Sequence, residues 1–126
     1  MSVAYIDASA LTAIAFNEPG SDDVVRRLDG FPTWISSNLL EAEFRAACVR
    51  EQRVFDPGIL ENVDWVLPAR PLTPELAVVA GVGYLRGADL WHVATALYAA
   101  EDSGPITFIT LDQRQGEVAA ALGFQT

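Results

Sequence analysis

The chain has 126 residues, the length of one ordinary domain, and 51% of them are hydrophobic, which excludes wholesale disorder. Its formal net charge is −9 and its pI is near 4.3, so it is not a basic nucleic-acid binder that gains affinity by neutralising phosphates. An enzyme that meets phosphates through a bound metal remains compatible with that charge. All eight positive side chains are arginine, and lysine is absent. The single cysteine, Cys48, permits no internal disulfide, and a reducing cytoplasm is the expected setting. No basic start precedes the first apolar residues and Asp7 interrupts them, so no signal peptide is expected. No apolar run nears the ~20 residues of a membrane span.

In chain order, Val3 to Ile6 reads as a buried strand ending on Asp7. Ser9 to Phe16 reads as a helix, with Ser9 placed to cap it and leave Asp7 free. Asp22 to Leu28 is a short polar helix closed by Asp29 and Gly30. Thr33 to Ser36 is a second strand, and Ser37 or Asn38 caps a helix over Leu39 to Arg53. A short helix over Pro57 to Asn62 begins at Asp56, with proline at its first position. Trp65 to Leu67 is a brief third strand. Thr73-Pro74-Glu75 opens a helix that runs to about Arg86, and Asp89 caps the next, which ends near Gly104. Ile106 to Leu111 is a fourth strand, Gln113 to Leu122 a helix, and Gly123-Phe124 leads a last short strand. This alternation predicts one domain over residues 1–126, a three-layer α/β/α fold with a central parallel sheet.

Four acids fall at element junctions of that sheet: Asp7, Glu43, Asp89 and Asp112. Ligands of open α/β sheets bind in the crevice at the carboxyl ends of the strands. Carboxylates gathered there repel one another unless a positive charge sits among them, and a hard divalent cation, Mg2+ or Mn2+, takes oxygen ligands. Glu41 and Glu43 diverge by about 200° on a helix, so only one of them faces inward. Glu43 falls on the apolar side, near Leu39, Leu40 and Ala47, and Glu41 pairs with Arg45 at the surface. Each aspartate by itself would serve as an ordinary helix cap; the signal lies in the set. Cys48 shares a helical face with Phe44 and Ala47 and reads as a buried, inert thiol.

Other chemistries find little support. His92 is the only histidine and reads as a structural one, without a second ligand at zinc spacing. Gly81-Val82-Gly83 sits inside a helical stretch and lacks the context of a phosphate loop. A phosphate-accepting receiver domain needs a lysine that this chain does not have. A haloacid-dehalogenase-like phosphatase has a second aspartate where Ser9 stands. Trp34, Trp65 and Trp91 are candidates for base stacking, with core positions the default.

Several segments together resemble a known family. They are Tyr5-Ile6-Asp7-Ala8-Ser9-Ala10-Leu11, Ser37 to Ala47, Leu85 to Leu97, and Phe108-Ile109-Thr110-Leu111-Asp112 with Ala119 to Phe124. The chain resembles the PIN-domain proteins over essentially its whole length, and within them the VapC-type toxins, the ribonuclease half of a toxin–antitoxin pair. The resemblance implies Mg2+- or Mn2+-dependent hydrolysis of RNA phosphodiesters. It carries the acidic quartet onto Asp7, Glu43, Asp89 and Asp112, and a supporting hydroxyl onto Ser9, with Thr110 in a similar part. Arg86 and Arg114, close in sequence to two of the acids, are candidate contacts to the substrate backbone. It also implies a VapB-type antitoxin peptide that inserts an arginine near the acids, and a homodimer. Trp91 stands where a smaller residue is expected. The alternative from another class is a non-catalytic interaction module with an acidic cleft.

Overall fold

The computed structural model describes residues 2–126. Four strands, β1 (Val3–Ile6), β2 (Thr33–Ser37), β3 (Val63–Val66) and β4 (Ile106–Ile109), form one sheet in the order β3-β2-β1-β4. Every pairing is parallel. The helices are α1 (Ala8–Phe16), α2 (Ser21–Asp29), α3 (Leu39–Arg50), α4 (Thr73–Val82), α5 (Gly87–Ser103) and α6 (Gln113–Ala121), with a 3-10 turn over Pro57–Leu60. The expected three-layer α/β/α architecture with a central parallel sheet is therefore observed.

Side-chain alternation along β1 builds the layers, since successive residues point to opposite faces. Val3 and Tyr5 join the core beneath α4, α5 and α6 with Val79, Val93, Phe108 and Val118. Ala4 and Ile6 join a second core beneath α1, α2 and α3 with Leu11, Val24, Leu40 and Phe44. Cys48 is buried in this second core beside Phe44 and Ala47, as its helical face predicts. All four residues of β1 are buried, as a central parallel strand requires.

The chain leaves β1 towards β2 and β3, then returns to place β4 on the other side of β1. The gap between β1 and β4 is thus the point where strand order reverses, the usual ligand crevice of such sheets. Ile6 pairs with Ile109, so Asp7 and Thr110 leave the sheet at the same level. The Asp7 amide also donates to the Ile109 carbonyl at 3.2 Å.

Several boundaries differ from the sequence expectation, each for a local reason. Helix α3 stops at Arg50 rather than Arg53, because Gln52 adopts a left-handed backbone at φ 54°. Helix α4 stops at Val82, where extended Gly83 ends it four residues before Arg86. Arg86 then caps α5, so Asp89 lies in its first turn and is not the cap. Asp7, not Ser9, caps α1 and accepts the Ala10 amide. The last segment forms a single isolated bridge, Gln125 to Thr107, rather than a strand.

Phe108 is fully buried between Tyr5, whose ring lies parallel at 5.1 Å, and Phe124 at 6.2 Å. Phe108→Ala is expected to cost about 3–5 kcal/mol of stability, read from urea unfolding, through lost contact and the cavity left behind.

Candidate functional site

Asp7 is the most tightly held of the four acids. Only 3% of it is exposed. Its Oδ1 accepts the Ala10 amide at 3.0 Å and the Ser9 hydroxyl at 2.8 Å, and its Oδ2 lies 2.8 Å from the Thr110 hydroxyl. Burial raises its carboxyl above the ordinary range, and the donors from Ala10, Thr110 and Ser9 oppose that shift. Ser9 and Thr110 also organise the facing loop. The Ser9 Oγ accepts the Leu111 amide at 3.0 Å, and the Thr110 Oγ1 accepts the Asp112 amide at 3.0 Å.

Asp112 caps α6 by accepting the Gln115 amide at 2.8 Å. Gln115 itself is wholly buried. Its Oε1 lies 2.9 Å from the Thr110 hydroxyl and its Nε2 donates to the Asp89 carbonyl at 3.3 Å. One amide side chain therefore ties the end of β4 to the first turn of α5. Sequence reading missed this residue. An acid followed three residues later by glutamine resembles a capping box, in which glutamine reaches back to the cap amide. Here Thr110 already receives that amide, and Gln115 turns inward instead.

Glu43 faces inward from α3, as the helical wheel predicts, and Glu41 pairs with Arg45 at 2.8 Å on the outer side. The partner of Glu43 is His92, whose Nε2 lies 2.5 Å from Oε1. His92 is 1% exposed, and its Nδ1 lies 2.7 Å from the Tyr5 hydroxyl. That hydroxyl oxygen accepts the Ser37 amide at 3.0 Å. Burial pushes the Tyr5 phenol well above its usual range, so it stays neutral. With its oxygen taken by Ser37, the phenol proton points to Nδ1, and Nε2–H donates to Glu43. His92 is thus structural, as its sequence position suggests, but its structural task is to hold one of the acids.

Asp89 is partly buried, and its carboxyl is raised by burial and by the charges of Asp112 and Glu43, against the opposing charge of Arg86. Asp89 and Asp112 share a cavity of about 330 Å3 with Tyr84, Leu85, Arg86 and Arg114. Glu43 and Ser9 line a second, open cavity of about 510 Å3 with Thr12, Glu18, Arg50 and Leu111. Trp91 is half-buried and donates to the Ser37 hydroxyl at 2.8 Å, so the larger residue at this position braces β2 against α5.

Four carboxylates from both helical layers and the sheet edge are hard oxygen donors of the type that Mg2+ and Mn2+ prefer. The repulsion felt by Asp89 is the charge deficit that such an ion would fill. Among the described residues no three histidine, cysteine, aspartate or glutamate side chains converge ready-made on one point. Holding an ion would therefore require side-chain rotation, chiefly of exposed Asp112.

The fold is thus a parallel α/β sheet with the buried Asp7 at its switch point and further acids on the flanking helices. Residues 4–121 match the model of the PIN domain, and the chain belongs to that family. PIN domains are generally metal-dependent nucleases, which supports a hydrolase acting on nucleic acid. A comparison with curated proteins gave no match. Among the described residues no helix is long and apolar enough to cross a membrane.

The raised Asp89 carboxyl has a stability consequence. A carboxyl whose folded pKa exceeds its unfolded one stabilises the fold below the unfolded value, and that contribution is lost as pH rises through the folded one. In EDTA at pH 7.5, Asp89→Asn should therefore melt at a higher temperature than the parent chain. The gain should shrink as pH falls into the carboxylate range, a trend that thermal melts across pH will check.

Proposed function

We propose that the chain is a VapC-type toxin: a Mg2+- or Mn2+-dependent endoribonuclease, acting as one domain over residues 1–126 in the cytoplasm and neutralised by a VapB-type antitoxin. The observation that carries this reading is the cavity that Asp89 shares with Asp112, together with the buried Asp7 at the switch point of a PIN domain. When bound, the divalent ion supplies a water of lowered pKa and screens the charge of the phosphate.

The chain's own residues set the rest. Asp7 and Asp89 would be direct ligands, Asp7 with its oxygens fixed by Ser9, Thr110 and Ala10. Glu43, with Oε1 engaged by His92, keeps its other oxygen to ligate or to orient the attacking water. Asp112 would hold a second ion or act through water. Arg86 and Arg114 line the cavity shared by Asp89 and Asp112, where guanidinium groups meet phosphate oxygens. In-line attack by water leaves a 5′-phosphate, in contrast to 2′-hydroxyl attack, which leaves a cyclic phosphate.

The partners follow from the same charges. An acidic crevice attracts an inserted arginine of the antitoxin. Exposed Val25 on α2, Val49 on α3, Val54 in the segment after α3, and Val78 and Val82 on α4 offer apolar surface for a homodimer.

The deciding experiment incubates antitoxin-free protein with RNAs, tRNA included, in Mg2+, Mn2+ or EDTA. Cleavage should require metal and fall about 10²–10³-fold in Asp7→Asn or Asp89→Asn, with both variants folded. Cleavage that persists in the variants would mean a wrong site. No cleavage of any RNA, with no Mn2+ binding by calorimetry, would favour the non-catalytic interaction module.

The role of His92 is separable. His92→Phe removes the N–H that holds Glu43 and should weaken Mn2+ binding about 10–100-fold by calorimetry. His92→Gln, which retains an N–H donor, should recover part of that affinity. Equal affinities in both variants would deny the histidine any part in positioning Glu43.

A further inference from the structure

The segment between α4 and α5 carries an aromatic ring with no structural task. Tyr84 is 72% exposed and is the one aromatic side chain among the exposed large hydrophobic residues. Among the described residues its ring pairs with no other aromatic ring and lies under no arginine. The other candidates for base stacking are occupied. The Trp34 Nε1 donates to the Leu28 and Phe31 carbonyls, Trp91 donates to Ser37, and Trp65 packs against the core.

The surroundings of Tyr84 are as unusual as its exposure. It lines the cavity that also holds Asp89, Asp112, Arg86 and Arg114. Six of the eight arginines are tied to protein partners. Arg26, Arg45, Arg50 and Arg70 are in ion pairs, Arg27 donates to the Thr126 carbonyl, and Arg53 lies over Phe16. Only Arg86 and Arg114 lack a hydrogen bond, ion pair or aromatic partner among the described residues, and both line this one cavity. An acidic chain thus keeps its two uncommitted cations beside its one uncommitted aromatic ring, next to two carboxylates of the candidate site. A ligand that fits this set has a flat apolar face and negative charge on its flanks.

We propose that Tyr84, with Arg86 and Arg114, forms a nucleotide subsite in which the phenol ring stacks on one unpaired base of single-stranded RNA beside the scissile phosphate. The assignment rests on the nuclease reading above and adds to it the substrate class and the residue that selects it. Stacking on a single ring requires a base free of its own neighbours, which a duplex does not offer. Because every base has a π-face, the subsite selects strandedness and position but does not read base identity. The guanidinium groups take the flanking phosphates.

The test compares the parent chain, Tyr84→Ala and Tyr84→Phe. Affinity for a labelled single-stranded oligoribonucleotide is read by anisotropy with Ca2+, and cleavage by steady-state kinetics with Mg2+. Tyr84→Ala should weaken Kd and raise KM about 5- to 150-fold, with most of the loss in KM. Tyr84→Phe, which keeps the ring, should stay close to the parent, and a duplex of the same sequence should not distinguish the three proteins. Melting temperatures should match, since the side chain is exposed. Equal affinity and KM in Tyr84→Ala overturn the subsite while parental cleavage leaves the nuclease intact. Tyr84-dependent binding without any cleavage sustains the subsite and sinks the nuclease. A parent chain that binds no RNA overturns both.

Discussion

Asp7 places a carboxylate at the carboxyl end of the central strand, almost wholly removed from water, and the rest of the site depends on how that charge is accommodated. A buried charge without partners is costly enough that the group would neutralise instead. Here three partners come from two parts of the chain: the Ala10 amide and Ser9 hydroxyl of α1, and the Thr110 hydroxyl just beyond β4. The backbone of Asp7 is bonded to β4 as well, through the Ile109 carbonyl. Side chain and main chain thus close the same gap, the one where strand order reverses. Ser9 and Thr110 then receive the amides of Leu111 and Asp112, so the loop carrying Asp112 takes its shape from the residues that hold Asp7.

The second constraint crosses the end of the sheet. Glu43 belongs to the layer beneath which Ile6 packs, and His92 to the opposite layer, beneath which Tyr5 packs. Their hydrogen bond joins the two layers over the ends of β1 and β2. Tyr5 orients the imidazole, and the Ser37 amide orients Tyr5. Glu43 therefore stays half-buried without an arginine, and one of its oxygens is fixed before any ligand arrives. Such prior ordering is what a site needs if its groups are not to be reorganised during reaction.

What the sequence reveals follows from how local each feature is. The strands, the helical layers and the inward face of Glu43 rest on periodicity, and they are legible. So is the Glu41–Arg45 pair, a neighbour relation on one helix turn. The end of α4 is not, because Gly81-Val82-Gly83 reads equally well as helix interior, and no local pattern marks Gly83 as extended. The cap of α1 was assigned to Ser9 although Asp7 serves, because both residues can accept an amide and only the distance across to Thr110 separates their parts. Gln115 and the Tyr5–His92–Glu43 chain join residues far apart in sequence, and no local pattern signals them. The exposure of Tyr84 belongs to the same category.

Charge ties these features together. The chain uses most of its arginines internally, and it places none of them in an ion pair with Asp7, Glu43, Asp89 or Asp112. It has no lysine to spare for them. The repulsion of Asp89 by Asp112 and Glu43 is relieved by protonation or by positive charge from outside the chain. In the function proposed above, a divalent cation would bring a charge that also activates water, and an arginine of a partner peptide would bring one that does no chemistry. The two would compete for the same acids. In the proposed toxin, catalysis and inhibition would then be alternative ways of neutralising the same carboxylates. The strength of inhibition would rise with the repulsion that the fold stores among them.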